Sequence, residues 1–309
     1  MRTCNLVVDS CCDLPYELLE ADGLYLLNFP YLMDGGSFFD DLFQSRKPQD
    51  FYDAMRKGSA PTTSQVPMPQ FLELFRSLAA TGRPSVYLSF SSGLSGSYDA
   101  AVLALSQLQE EGLDAEIYLV DTHLASIAEG VLVHEAIHQW KRGMSAADLA
   151  AWAREACYFV NEQFMVEDLD TLRRGGRIPS TVAVAGTALD VKPLLAIDKD
   201  GRLAVTGVAR GRKKAMKALV EDFLKRKSED NQISTVLIGH ADCPKDAQKL
   251  KELLVKADES VIPVICNIGP VIGSHVGPGM LAVGFWGQDK RENLSLADKI
   301  ARKVKGGRD

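Results

Sequence analysis

The first half of the chain is constrained most by a regular alternation of short apolar runs with longer segments of helical periodicity. Apolar runs such as NLVV and SVYLSF alternate with segments such as YDAAVLALSQLQEEG, in which Ala101, Leu105 and Leu108 fall on one helical face. Parallel strands are joined by crossover connections that are usually helices, so this alternation predicts a parallel sheet covered by helices on both faces. We expect an α/β/α parallel-sheet domain over residues 1–160.

The second half carries a different pattern. The segment VKPLLAIDKDGRLAVTGVAR consists of two apolar runs on either side of Asp200 and Gly201, which is typical of a β-hairpin. A basic amphipathic segment and further strand-like runs follow, so we expect an α/β domain with a mixed sheet over residues 161–309. A chain of 309 residues, of which 46% are hydrophobic, is long enough to bury two such cores.

Three shorter segments carry local predictions. Asp13 and Pro15 predict the start of a helix that Gly23 ends. The run LYLLNFPYLM predicts one strand, and GPVIGSHVGPG predicts a loop because of its glycines and prolines.

Charge and cysteine content exclude several classes of function. The net charge of −6 gives no electrostatic basis for nucleic-acid binding, and no apolar run is long enough to span a bilayer. The segment MRTCNLVVDS lacks the features of a signal peptide, so we expect a cytoplasmic location. The six cysteines have neither metal nor disulfide spacing, which indicates reduced thiols. We interpret Cys11 and Cys12 as part of a polar turn, with a redox role as the alternative.

Three loops combine hydroxyl side chains with glycines. They are PTTSQVP with Thr62, Thr63, Ser64 and Gln65, SSGLSGSY with the serines of residues 91–97, and IGSHVGPG with Ser274 and His275. Two of them precede helical segments, where free N–H groups and the helix dipole favour an anion. Glycines let a backbone approach a ligand closely, and hydroxyls add uncharged donors. The three loops together predict a site for a carboxylate or a phosphate, and the alternative is that each is a helix-capping turn.

Two segments come close to catalytic motifs. GLSGS approaches the nucleophile elbow G-x-S-x-G around Ser95, with Asp121 and His275 later in the chain, but Ser97 stands where the elbow needs glycine. HEAIH, residues 134–138, fits a zinc-binding helix, but Lys141 stands where the longer form of that motif needs glycine. We interpret both as coincidences and predict no catalytic residue and no metal. A serine hydrolase using Ser95 and an enzyme that binds a phosphate ligand are the alternatives.

Six segments together resemble the DegV family of fatty-acid-binding proteins. They are VVDSCCDLP, TSQVP, SFSSGLSGSY, DTLRRGGRI, KPLLAID with the following DG, and GPVIGSHVGPG, and they extend over residues 6–285. The chain is also similar to the binding subunit of the bacterial fatty acid kinase. The resemblance implies two α/β domains with one acyl chain between them. It also implies that a separate ATP-dependent kinase subunit phosphorylates the bound carboxylate, and that the acyl phosphate feeds phospholipid synthesis.

The resemblance assigns the carboxylate contacts to particular residues. Thr63, Ser95 and His275 match the family's headgroup contacts, and Ser64, Gly96, Ser97 and Ser274 lie beside them in the sequence. Neutral donors suit a carboxylate, and a protonated His275 would add charge. No cofactor is implied other than the bound fatty acid. The chain departs from the family pattern at Cys11-Cys12 and at Val66-Pro67, and we expect these changes to reshape the mouth of the site without removing the donors.

Two basic clusters stand out in this acidic chain. One is formed by Arg173, Arg174 and Arg177, and the other by Arg210, Arg212, Lys213 and Lys214. Given the resemblance, we hypothesise that they dock the kinase subunit or an anionic membrane surface. The alternative is that they are solvated helix ends with ordinary salt bridges.

Overall fold

The computed structural model describes residues 3–181, 190–228 and 235–292. Its strands are β1 (Asn5–Asp9), β2 (Leu24–Leu27), β3 (Pro30–Met33), β4 (Gly36–Phe39), β5 (Thr62–Thr63), β6 (Ser85–Ser89), β7 (Ile117–Asp121), β8 (Val160–Met165), β9 (Val191–Ile197), β10 (Leu203–Arg210), β11 (Thr235–His240), β12 (Ile262–Asn267) and β13 (Leu281–Trp286). Its α-helices are α1 (Pro48–Arg56), α2 (Met68–Ala80), α3 (Ser97–Glu110), α4 (Ser126–Lys141), α5 (Ala146–Ala156), α6 (Asp170–Arg174), α7 (Arg212–Arg226), α8 (Pro244–Ala257) and α9 (Pro270–Val276).

The first sheet has four parallel strands in the order β2-β1-β6-β7. The two central strands, β1 and β6, are buried along their whole length, as expected for strands that have helices on both faces. Helix α5 packs against β6 and β7, α4 contacts β1, and α2 and α3 pack against each other. This arrangement confirms the parallel-sheet prediction for the first half of the chain.

The second sheet has six strands in the order β10-β9-β8-β13-β11-β12. Only β11 and β12 run parallel, and the other neighbouring pairs are antiparallel, so the predicted mixed sheet is confirmed. β9 and β10 form the predicted hairpin, whose turn contains Asp200 and Gly201. Helices α7 and α8 cover one face of this sheet, and α4 packs on β8, β11 and β13.

Three local predictions are wrong, because in each case contacts with residues distant in the sequence determine the local structure. Instead of the helix predicted from Asp13, the structure has a short 3-10 turn at Tyr16–Leu18, and Asp13 adopts a left-handed φ of 51°. The run predicted as one strand divides into β2 and β3, which lie in different sheets. The predicted loop around His275 contains α9, with Pro270 at its first turn.

The boundary between the predicted domains coincides with a change of sheet. All strands of the four-stranded sheet precede Phe159, and the six-stranded sheet begins at Val160 with β8. Helix α4, from the first half of the chain, nevertheless packs on the second sheet. The division at residue 160 therefore stays a prediction. Among the described residues, no helix combines the length and hydropathy that a membrane span requires.

The described cysteines are free thiols. Cys11 and Cys12 lie in a buried 3-10 turn, where the side chain of Asp9 accepts a hydrogen bond from the Cys11 N–H. Burial raises the pKa of both thiols well above the ordinary value. These thiols are therefore protonated, which is the unreactive form.

Candidate ligand-binding site

A cavity lies between the carboxyl ends of the parallel strands and one face of the six-stranded sheet. Crevices outside the carboxyl ends of parallel strands are the usual ligand sites of open α/β sheets. About 630 Å³ of space between atoms lies in the cavity and its open mouth together. Most of its lining is apolar and includes Phe29, Phe90, Leu94, Phe164, Ile197 and Val276.

The polar end of the cavity brings together residues from distant parts of the sequence. Thr63 Oγ1 lies 2.7 Å from His275 Nε2, which joins β5 to α9. Ser64 and Ser95 line the same cavity. β5 pairs with β3, and side chains alternate along a strand, so Thr63 is turned inward while Thr62 is exposed.

His275 is a neutral group in this setting. Burial, together with the positive charge of Arg177, lowers the pKa of His275 to about 4. Near neutral pH the ring therefore acts as a neutral hydrogen-bonding group, and it would add charge only at a lower pH, where it is protonated. The ring packs tightly on Gly175, in the loop after α6. A Cβ atom added to Gly175 would lie only 2.2 Å from His275 Nδ1.

Arg177 supplies the positive charge that His275 does not. Its side chain lines the cavity, where Nε donates to the carbonyl of Leu94 at 3.2 Å and Nη1 donates to the carbonyl of Gly175 at 2.5 Å. Sequence reasoning missed this residue as part of the pocket and placed it in the docking cluster. A sequence does not show which way an arginine turns, although the Gly-Gly pair before Arg177 was a sign of close packing there.

Three of the predicted carboxylate-site residues lie behind the residues that line the cavity. Ser97 is fully buried, its Oγ lies 2.9 Å from that of Ser95, and it accepts a hydrogen bond from the Val66 N–H at 3.0 Å. Gly96 packs against the side chain of Gln65. The Ser274 hydroxyl donates to the carbonyl of Pro270 within α9 at 2.6 Å. None of the three lines the cavity among the described residues.

Two buried carboxylates fix the start of α9 and so position His275. Asp13 accepts a hydrogen bond from the Gly269 N–H at 2.8 Å, and Asp40 accepts one from the Val271 N–H at 3.0 Å. Both therefore satisfy N–H groups that the first turn of a helix leaves free. Sequence reasoning assigned Asp13 to a different helix and did not single out Asp40, because nothing in the local pattern identifies a partner so distant in the chain.

In the second basic cluster, one arginine is held by internal contacts and the other basic residues are exposed. Arg212 is held by Glu167, Asp246 and the carbonyl of Gly279, so its charge is neutralised next to the segment that follows His275. Arg210, Lys213 and Lys214 are exposed. In the first cluster, Arg174 is exposed and Arg173 pairs with Asp170 at 3.2 Å.

The described residues do not assemble the alternative catalytic sites. Asp121 accepts hydrogen bonds from the backbone of Ser92 and His123, whereas His275 bonds to Thr63 and the Ser95 hydroxyl to Ser97. The rings of His134 and His138 lie 4.8 Å apart on α4. Within the described ranges, no group of three or more potential ligands is placed to hold a metal ion.

Its fold places the chain among α/β proteins that have a largely apolar cavity at the carboxyl ends of parallel strands. The chain belongs to the DegV family, because the model for that family, described as "Uncharacterised protein, DegV family", matches residues 3–288. The DegV domain-containing protein CPE0026 of Clostridium perfringens is 37% identical over 290 residues, which cover 94% of this chain and 99% of that protein.

Solved structures agree with this assignment. A fatty-acid-binding DegV family protein from Thermus thermophilus is 28% identical, with a TM-score of 0.80 over 93% of this chain and 100% of that one. DegV of Bacillus subtilis, described as a fatty acid binding protein, is 27% identical, with a TM-score of 0.77 over 93% of this chain and 100% of that one. The expected fold is thereby confirmed along nearly the whole chain.

Proposed function

We propose that this protein binds one long-chain fatty acid in the cavity and presents its carboxylate to a separate kinase subunit. The observation that carries the proposal is an apolar cavity in which Thr63, Ser95, His275 and Arg177 form a polar end. Burying an acyl tail contributes about 0.8 kcal/mol of binding free energy per CH₂ group, so an apolar lining favours a long acyl chain. The fatty-acid-binding relatives of similar fold support the same ligand.

The polar end is suited to hold a carboxylate without consuming it. With the ring proton on Nε2, neutral His275 donates to Thr63 Oγ1, which leaves the threonine hydroxyl free to donate to the ligand. Ser95 supplies a second hydroxyl, and the guanidinium of Arg177 supplies a nearby positive charge. Such a site binds the anion and leaves its oxygen atoms unreacted, so the phosphoryl transfer belongs to a partner that brings ATP.

Chemical analysis of the bound ligand tests the proposal directly. Protein produced in bacteria and purified without detergent should release one equivalent of a long-chain fatty acid when it is denatured and extracted for mass spectrometry. An extract without lipid, from protein that also fails to bind added fatty acid, would overturn the proposal. A fluorophosphonate probe gives the parallel test of the hydrolase alternative, and we expect no labelling of Ser95.

Kinase presentation requires a second experiment. A purified fatty acid kinase subunit with ATP should convert the bound fatty acid to its acyl phosphate in the presence of this chain. Formation of acyl phosphate at the same rate without the chain would exclude a presenting role while leaving fatty acid binding intact. In keeping with this role, a cytoplasmic location stays our prediction.

A further inference from the structure

The wall of the cavity contains a buried acidic side chain that the carboxylate site does not use. Glu162 on β8 is only 3% exposed and lines the cavity together with Phe164, which lies on the same face of the strand. Its Oε1 atom has no hydrogen-bond partner among the described residues. An unpaired polar atom of this kind in an otherwise apolar wall is uncommon and calls for a partner.

The carboxyl group of Glu162 is held in its protonated form. Burial raises the pKa of Glu162 to about 8, although the nearby charge of Lys290 acts in the opposite direction. The backbone of Ala128, in the first turn of α4, also acts to lower this pKa, but burial outweighs it. A protonated carboxyl group has one O–H to donate, and a hydrogen-bond acceptor in the cavity would receive it.

Glu162 and Ser126 belong to other elements than the residues of the carboxylate site. Ser126 also lines the cavity, two residues before Ala128, and its hydroxyl donates to Asp13, which in turn accepts from Gly269 at the start of α9. Glu162 and Ser126 lie on β8 and α4, whereas Thr63 and His275 lie on β5 and α9. We therefore assign Glu162 and Ser126 to the acyl chain rather than to its head.

We propose that Glu162 selects fatty acids whose acyl chain carries an oxygen atom, as a hydroxyl or keto group. This inference rests on the proposed fatty acid binding and specifies the class of fatty acid. A plain methylene chain leaves the Glu162 proton without an acceptor, whereas a hydroxyl group at the matching carbon receives it. Sites that hydrogen-bond a ligand oxygen discriminate strongly against ligands that lack it, because the buried protein group is left unpaired.

Competitive binding to the delipidated full chain tests the inference. The probes are stearate and a set of monohydroxystearates whose hydroxyl is stepped along the chain, each displacing a fluorescent fatty acid. At least one isomer should bind about tenfold more tightly than stearate, as expected for one buried hydrogen bond. Glu162→Leu should abolish this preference and tighten stearate binding, while Glu162→Gln, which keeps a donor at the same place, should retain it.

The outcomes separate this inference from the proposed function. If stearate binds and no hydroxystearate isomer binds better, the selectivity of Glu162 is overturned and fatty acid binding stands. If the preference persists in Glu162→Leu, another group recognises the hydroxyl and the assignment fails. If neither class of ligand binds, both proposals fail. Should Glu162→Leu not fold, Glu162→Met, which also lacks the acidic proton and keeps the length of the side chain, makes the same comparison.

Discussion

Thr62 and Thr63 are neighbours on β5 that face opposite ways, and this gives a matched pair for testing the carboxylate site. Thr63→Val removes the hydroxyl that bonds to His275 and keeps the shape of the side chain. We expect fatty acid affinity to fall by about tenfold, which corresponds to one lost hydrogen bond to a charged group. Thr62→Val alters an exposed residue and should leave the affinity unchanged. Calorimetric titration of delipidated protein measures both, and equal losses in the two variants would refute the assignment.

Among individual residues, the sequence identified those that belong to motifs and missed those whose role depends on which way the side chain points. Thr63, Ser95 and His275 were assigned through the family resemblance, and the structure brings all three to one cavity. Arg177 and Glu162 were not assigned to the cavity. Arginine and glutamate side chains are usually solvated, and the sequence of the chain does not show which way a side chain points. Only packing reveals that both side chains turn inward.

Among the short elements, the turn after α6 fixes the His275 ring through a residue that has no side chain. A methyl group added at Gly175 would lie 2.2 Å from His275 Nδ1, so Gly175→Ala should displace the ring and weaken fatty acid binding about tenfold or more. Gly176 has open space around it but a φ of +73°, so Gly176→Ala should cost about 1 kcal/mol of unfolding free energy and leave affinity unchanged. Urea unfolding and ligand titration of both variants distinguish the two effects. Unchanged affinity in Gly175→Ala would show that the ring does not need this contact.

Long periodic elements were predictable from sequence, whereas short ones were not. The alternation of the first half and the hairpin of β9 and β10 follow from local patterns, because each carries enough apolar residues to define its face. Helix α9 has only seven residues, among them a glycine and a proline. It forms because Asp13 and Asp40 satisfy its first N–H groups, and these contacts span most of the chain.

For the molecule as a whole, an exposed part of the basic clusters remains available for docking. We propose that the exposed residues Arg174, Arg210 and Lys213 contact the kinase subunit, since Arg177 and Arg212 are occupied internally and Arg173 pairs with Asp170. Arg174→Glu should slow acyl phosphate formation severalfold at low salt, with a smaller effect at high salt because screening weakens charge steering. Lys256→Glu, on the outer helix α8, is the control and should not change the rate. Identical rates for wild type and Arg174→Glu across the salt series would exclude docking at this residue.

The buried carboxyl groups also govern how the whole protein responds to pH. Glu162 has an ordinary pKa of 4.5 when unfolded and a pKa raised to about 8 by burial when folded. Between these values the folded state binds more protons than the unfolded state, so stability is full below about pH 4.5 and falls as pH rises through about 8. Burial raises the pKa of Asp9 and Asp40 to about 7, so both contribute in the same direction.

Glu162→Gln isolates this contribution, because glutamine resembles the protonated acid and does not titrate. Near pH 5 the variant should match the wild type in unfolding free energy, and near pH 9 it should be more stable by a few kcal/mol. Glu155→Gln is the control, since Glu155 is an exposed carboxylate whose pKa is lowered by hydrogen bonding to Arg291, and its pH dependence should be small and opposite in sign. Urea unfolding of the three proteins at both pH values gives the comparison. A constant difference between Glu162→Gln and the wild type would mean that Glu162 ionises normally in the folded protein, as it would if water entered the cavity wall beside it.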